Sequence, residues 1–294
     1  MKTVKCGIDR IKEDSSILKE LRLGLITNYT GVDRELKSTI DILNELGELV
    51  CMFSPEHGIR GDVQAGGEVP DYIDEKTGVK VYSLYGDKKK PTEDMLMDVD
   101  ALVFDIQDVG ARFYTYLYTM SYSMEAAKEF DKKIIVLDRP NPLGGLKTEG
   151  AILDTKFSSF VGMYSVPTRY GLTIGEVARL FNSEFDIGCD LDVVELEGWK
   201  RDMYFEDTGL DFIAPSPNIP TMDTALVYIG TCLFEGTNVS EGRGTTQPFQ
   251  TIGAPWIDAE KLACDLNDMG LKGVKFRPHY FTPTFSKYEG ELCR

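Results

Sequence analysis

The sequence predicts an α/β protein: a Rossmann-like, mostly parallel sheet with helices on both faces, plus a smaller C-terminal α/β subdomain. Three observations lead there. Short β-type runs alternate with helical patterns through the first half of the chain. Several of those runs are continuously apolar, as in strands covered on both faces, and each ends in polar, turn-forming residues. Right-handed βαβ crossovers wrapped around a parallel sheet satisfy all three.

Residues 23–27 are the first strand and the periodic segment 38–46 is the helix after it. Residues 49–53 form the next strand. Residues 79–85 alternate apolar and polar, 101–105 and 134–138 are continuous apolar runs, and the helical segment 116–130 links the last two. Beyond about residue 150 the rhythm weakens: 173–182 is helical, 191–196 is a strand, and Pro215-Ser-Pro-Asn-Ile-Pro220 is a rigid proline linker. Helices over 224–234 and 259–269 then precede a last strand over 274–281. The expected division is a Rossmann-like domain over 1–155 and, over 156–294, the remainder of the sheet domain with the smaller subdomain. Glu289-Gly-Glu-Leu-Cys-Arg294 supplies no closing helix or cap, so either the last element is short or the sequence is part of something longer.

Composition narrows the chemistry. Forty-eight acidic against 32 basic residues give a net charge of −16, which disfavours nucleic acid and anionic membrane surfaces, both of which are bound through Lys and Arg. An anionic substrate must be held by local cations. No run of about 18 apolar residues is present and the first ten residues lack the apolar centre of a secretory signal, so the expectation is a cytoplasmic chain as it stands, or an exported one whose leader was removed. The six cysteines lack a Cys-x-x-Cys pair and favour buried thiols in a reducing compartment. The two histidines, His57 and His279, lie in no ligand spacing, so neither a metal nor a cofactor is expected.

Four strands end in Thr27-Asn28, Ser54-Pro-Glu56, Asp105-Ile-Gln-Asp108 and Asp138-Arg-Pro-Asn-Pro142. Parallel strands bring such ends to one edge, where α/β sheets bind ligands. Singly, each also fits a turn or a helix cap. A second polar concentration is Glu235-Gly-Thr-Asn-Val-Ser-Glu-Gly-Arg-Gly-Thr-Thr-Gln-Pro-Phe249, with two carboxylates, one guanidinium, four hydroxyls and three glycines in fifteen residues. Ordering it costs backbone entropy with little core burial in return, which suits a segment kept for binding, as one wall of an active site.

Glu56 is the candidate general acid. Pro55 fixes the backbone before it, and desolvation at the end of a hydrophobic strand favours the protonated form an acid needs. The bland alternative is a surface turn glutamate. His57 either steers Glu56 or bonds substrate, or serves as a structural donor. Glu241, and after it Glu235, is the candidate base or electrostatic partner, although Glu235 also fits a helix end. An acid and a base together suit glycoside hydrolysis, with carboxyls about 5 Å apart for retention and about 6.5–9.5 Å apart for inversion. Arg243, between two glycines, suits a bidentate contact with a carboxylate or phosphate; Arg60 and Arg112 are second candidates, and each could instead partner a nearby Asp. Asn28, Asp105, Asp108, Asn141, Asn238 and Thr245 complete the candidate substrate-binding set. The loop is no P-loop, and no Gly-x-Gly-x-x-Gly follows the first strand, which weakens any dinucleotide reading. Phe113-Tyr-Thr-Tyr-Leu-Tyr118 fits half-buried packing better than a sugar platform.

Ser54-Pro-Glu-His-Gly-Ile-Arg-Gly61, Asp105-Ile-Gln-Asp-Val-Gly-Ala-Arg-Phe-Tyr-Thr-Tyr116, Asp138-Arg-Pro-Asn-Pro-Leu143 and the 235–249 loop, in this order, resemble the NamZ-type exo-β-N-acetylmuramidases, formerly the uncharacterised YbbC-like family. The match runs from about Gly7 to the last residue. The resemblance implies a bacterial glycosidase that removes N-acetylmuramic acid from the non-reducing ends of peptidoglycan fragments, with a Rossmann-like and a smaller domain meeting at a cleft. Glu56 matches the family's proposed catalytic glutamate. With that substrate, Arg243 or Arg60 would hold the lactyl carboxylate, and the acetamido group could act as an internal nucleophile. Family members usually continue beyond where this chain halts, and many are exported. The competing reading is a non-hydrolytic binding protein or a transferase for an anionic sugar or sugar phosphate.

Overall fold

The structure, a computed structural model, describes residues 4–60, 70–86 and 88–294; Gly61 of the 54–61 motif and the first three residues lie outside the described residues. The chain divides into two compact units, Met1–Pro217 and Asn218–Arg294. The division falls inside the proline run 215–220, and the expected boundary near residue 155 lies within the first unit.

In the first unit, strands β1 (Arg22–Thr27), β2 (Glu48–Ser54), β3 (Tyr72–Ile73), β4 (Lys80–Ser83), β5 (Ala101–Asp105), β6 (Lys133–Leu137) and β7 (Asp190–Val194) form one sheet in the order β3-β4-β2-β1-β5-β6-β7. Every pairing is parallel except that of β3 with β4. The chain leaves β1 toward β2 on one side and β5 toward β6 on the other. The adjacent β1 and β5 therefore mark the topological switch point, and the crevice beyond their carboxyl ends is where such sheets take ligands.

Helices cover both faces. On one, Ile8 and Ile11 of α1 (Gly7–Glu13) and Ile40 and Leu43 of α2 (Thr39–Leu46) share a core with Leu23, Leu25, Val103, Ile135 and Leu137. The alternate strand residues Ile26, Phe104, Ile134 and Val136 are equally buried and face the other side. There α4 (Tyr116–Glu129) and α5 (Ile174–Glu184) pack on β5, β6 and β7. The short α3 (Glu93–Leu96) precedes β5. Local signals set the starts: the Ser38 hydroxyl accepts from Ile40 N at the head of α2, and Thr173 with Glu176 forms a capping box on α5. The sequence pattern missed α1. Its first residue is a glycine out of necessity, since a Cβ there would lie 2.6–2.7 Å from Asp138 N, Leu137 Cα and Val194 O.

The second unit contains α6 (Met222–Thr231) and α7 (Ala259–Asp268), and its strand pairing among the described residues is limited to isolated bridges, Ser240 with Gly253 and Phe281 with Cys293. The expected strand over 274–281 does not form. Pro278 removes a ladder donor, and the Asn267 amide captures both backbone groups of Phe276, at 2.8 and 3.0 Å, so that only Phe281 keeps a bridge. No helix among the described residues is long and apolar enough to cross a membrane.

Candidate active site

The carboxyl ends of β1, β2, β5 and β6 share one edge, as their polar termini predict. Beyond β2 the chain makes a tight turn in which Gly58 N donates to Pro55 O at 3.2 Å. His57 and Gly58 both have left-handed backbones, φ 74° and 79°. A histidine there is uncommon and costs energy that its buried setting must repay. The turn leaves Glu56 half-buried, with Oε2 accepting a 2.9 Å hydrogen bond from the Thr115 hydroxyl at the head of α4. Tyr114 and Tyr116 sit edge to face at 5.0 Å, and burial pushes both phenols up, with smaller pushes from Tyr29 and then Glu56. The 113–118 aromatics are therefore mostly core packing: Tyr116 and Tyr118 are fully buried, and Tyr116 donates to Pro215 O at 2.6 Å.

Several rim residues expected to meet substrate are engaged inside the protein. Asp105 is fully buried and accepts from Arg139 Nε and Nη2, at 2.6 and 2.8 Å, and from the Thr39 hydroxyl. Asn141 is fully buried, donating to Leu172 O and accepting from Leu143 N. Arg112 donates through one nitrogen to Ala151 O and Val166 O, fastening two loops. Asn28 closes an Asx turn by accepting from Thr30 N and its hydroxyl at 2.9 and 2.6 Å. Asp105, Asn141 and Arg112 are thus committed to the protein itself, whereas the buried Nδ2 of Asn28 has no hydrogen-bond partner among the described residues. Arg60 pairs with Asp74 at 2.6 Å yet keeps half of its side chain exposed.

Two carboxyls beneath the edge are perturbed. Burial pushes Asp108 up to about 7, despite a 2.8 Å bond from Gly110 N; the Tyr170 hydroxyl bonds the same oxygen. Burial likewise raises Asp138 to about 6, where it caps α5 by accepting from Gly175 N at 2.7 Å and the Thr173 hydroxyl at 3.0 Å.

In the second unit the loop draws Glu235, Glu241 and Arg243 together. Arg243 contacts Glu235 at 2.5 Å and Glu241 at 3.4 Å and lies over the Phe249 ring at 5.1 Å. Lys287 donates to Glu241 at 3.1 Å and to the carbonyls of Phe234, Glu235 and Val239. Two cations thus neutralise two carboxylates, and Glu241 is 2% exposed. Contrary to what the loop composition suggests, the flanking glycines are not free. Gly242 and Gly244 have φ near 80°, and a Cβ would lie 2.6 Å from Thr251 O and Phe285 O respectively. Thr245 caps the turn through Gly242 O, whereas Asn238 is exposed and engages Tyr288 through its carbonyl.

Sequence reasoning gave no individual role to Thr115, Asp138 and Arg139, which it placed only within longer motifs, and did not single out Tyr170 or Lys287. Thr115 had a signal, a hydroxyl residue just before a helical pattern; Lys287 had none, because it lies 46 positions from Glu241. Among the described residues no group of three or more His, Cys, Asp or Glu could hold a metal ion.

Comparisons with known proteins agree with this architecture. The family model "Exo-beta-N-acetylmuramidase NamZ, N-terminal" matches residues 23–223, and its C-terminal counterpart matches 226–294. The chain is 58% identical to the peptidoglycan beta-N-acetylmuramidase NamZ of Bacillus subtilis (strain 168), over 99% of this chain and 71% of that protein. Crystal structures of two DUF1343 family proteins from Bacteroides fragilis NCTC 9343 are also similar. One has a TM-score of 0.93 at 47% identity, covering 100% of this chain and 76% of the other. The second has a TM-score of 0.80 at 37% identity, covering 99% and 75%. With both halves of the family matched in order, this chain belongs to the NamZ exo-β-N-acetylmuramidase family.

Proposed function

We propose that the chain is an exo-acting glycoside hydrolase that releases N-acetylmuramic acid from the non-reducing ends of peptidoglycan fragments, with Glu56 as the general acid. The observation that carries this reading is the 58% identity, across 99% of the chain, to a peptidoglycan beta-N-acetylmuramidase. Cleaving a glycosidic bond requires a proton on the departing oxygen. Glu56 is suited to deliver it, because it stands in a hydrogen-bonded turn at the carboxyl edge of β2 and a hydroxyl bonds one of its oxygens.

The lactyl carboxylate calls for a cation in this acidic protein. Arg60 is four positions from Glu56 and half-exposed, so a substrate carboxylate can displace or join Asp74; Arg243 is the second candidate, with Glu235 as the group to exchange. Glu241, enclosed and paired with Arg243 and Lys287, is poorly placed to supply the second catalytic carboxylate. That favours the substrate's acetamido oxygen as internal nucleophile.

Glu56→Gln keeps the shape and removes the proton. It should lower kcat on a chromogenic N-acetylmuramic acid glycoside by about 10²–10⁴-fold with an unchanged melting temperature. Full activity of that variant would remove Glu56 from the mechanism. Tight binding of the saccharide by the parent protein without turnover, seen by calorimetry, would instead support a receptor.

A further inference from the structure

We propose that Thr115 is a positioning residue for the Glu56 carboxyl group. The inference rests on the assignment of Glu56 as the acid and adds a residue to it.

Thr115 occupies the position before the first residue of α4, where a threonine hydroxyl ordinarily accepts from a backbone N–H of the first turn. Here it makes no such bond. Its backbone is already helical, φ −63° and ψ −22°, and its Oγ1 instead donates to Glu56 Oε2 at 2.9 Å, across 59 positions of sequence. The hydroxyl is thus diverted from the helix to the carboxyl. The backbone carbonyl of Thr115 still serves α4, accepting from Tyr118 N and Thr119 N at 3.0 Å. Anchoring the helix and orienting the carboxyl are therefore separate roles of one residue, the first filled by main chain and the second by side chain.

Hydrogen bonding supports one side and packing the other. Glu56 stands in the turn closed by Gly58 N to Pro55 O. Thr115 is fixed between Tyr114, 7% exposed, and Tyr116, fully buried. Glutamate has three side-chain torsions, and a fixed donor on one oxygen restricts their freedom and sets the direction of the other oxygen. A carboxyl that must deliver a proton along one line gains rate from that restriction, since a misplacement of about 1 Å can cost about 10²-fold. A hydroxyl also preserves the carboxyl's ability to change protonation state, because it can donate to the carboxylate or accept from the protonated acid.

The test uses the full chain and the chromogenic glycoside, with Thr115→Val, which keeps the shape and loses the hydroxyl, and Thr115→Ser, which keeps the hydroxyl. Thr115→Val should lower kcat by about 10- to 100-fold with KM within about twofold, and Thr115→Ser should recover activity to within about threefold of the parent. Because the hydroxyl does not cap α4, the melting temperatures should stay close. In a Glu56→Gln background the Thr115→Val change should cost little more, as expected of two groups acting as one unit. A Thr115→Val enzyme with parental kcat, a Thr115→Ser enzyme as impaired as Thr115→Val, or an undiminished Thr115 effect in the Glu56→Gln background would each overturn the proposal. If Glu56→Gln alone retains full activity, the assignment of the acid fails first, and that outcome is distinct from an active Thr115→Val enzyme beside an inactive Glu56→Gln one.

Discussion

Arg139 and Asp105 form a buried two-bond ion pair, 2.6 and 2.8 Å, directly beneath the switch point of the sheet. Burial alone would push the guanidinium down, but Asp105 beside it holds Arg139 above its ordinary range. Arg139 also donates to Val32 O at 2.9 Å, and the Thr39 hydroxyl reaches the same carboxylate, so the pair ties β5 to the 30s loop and to the head of α2. Removing one partner strands a charge in the interior. Arg139→Met or Asp105→Asn should each cost about 3–5 kcal/mol, read from urea midpoints. The double variant should cost less than the sum of the two by about 1 kcal/mol or more. Simple additivity would show that the two charges do not depend on one another.

Asp108 and Asp138 contribute to the pH dependence of folding. Burial raises them to about 7 and about 6, so over the window from about 4 to about 7 the folded state binds protons that the unfolded chain has released. Stability from these groups is therefore fully present below about pH 4 and falls as pH rises toward 7. Asp100, which hydrogen bonds from Arg22 hold down at about 2, acts in the opposite sense, and its contribution is lost as the solution is acidified below about pH 4. Both donors to Asp108, Gly110 N and the Tyr170 hydroxyl, use the same oxygen, so Asp108→Asn can keep both. That variant should flatten the fall in unfolding free energy between pH 5 and 7 by about 1.4 kcal/mol per pH unit. An unaltered slope would mean that Asp108 is not the group that titrates.

Lys287 organises the 235–249 loop. Its ammonium group meets three carbonyls and the buried Glu241 carboxylate. Lys287→Met leaves those acceptors short of a donor and should destabilise the protein by about 1–3 kcal/mol. Amide hydrogen exchange should accelerate over residues 234–241 well before that in α7. Uniform acceleration across the unit would indicate a general loss of stability and no local role for the lysine.

The sheet was legible because its code is local and periodic: continuous apolar runs such as 101–105 and 134–138 have few alternatives, and polar residues close each of them. The Glu56 turn was legible for the same reason, standing directly after such a run. What the pattern hid depends on distant partners. Asp105 and Asn141 present the same polar strand-end signature as a ligand-binding residue, and only the placement of Arg139 and Leu172 O reveals that they are occupied. The glycines of the 235–249 loop looked like a sign of backbone freedom. Gly242 and Gly244 are required instead by the close approach of residues 251 and 285, contacts that no local window contains, whereas Gly236 faces open space. The last expected strand failed because an alternating segment with a central proline and a Phe276 backbone captured by Asn267 finds no ladder.

The six cysteines are all free, and their settings predict very unequal reactivity. Cys6, Cys51, Cys189 and Cys293 are buried, Cys232 is partly covered, and Cys264 on α7 is exposed. Burial pushes the thiols of Cys6, Cys51 and Cys232 up to about 12 and that of Cys189 to about 11, which suppresses the thiolate that attacks a disulfide reagent. Titration of the folded protein with a chromogenic disulfide should therefore show one fast equivalent, with the remaining thiols released only on unfolding. Cys264→Ser should abolish the fast phase while leaving the total after denaturation lower by one. A fast phase that survives this replacement would mean that one of the covered cysteines opens to solvent in the native state, and Cys232, next to Glu235, would be the first to examine.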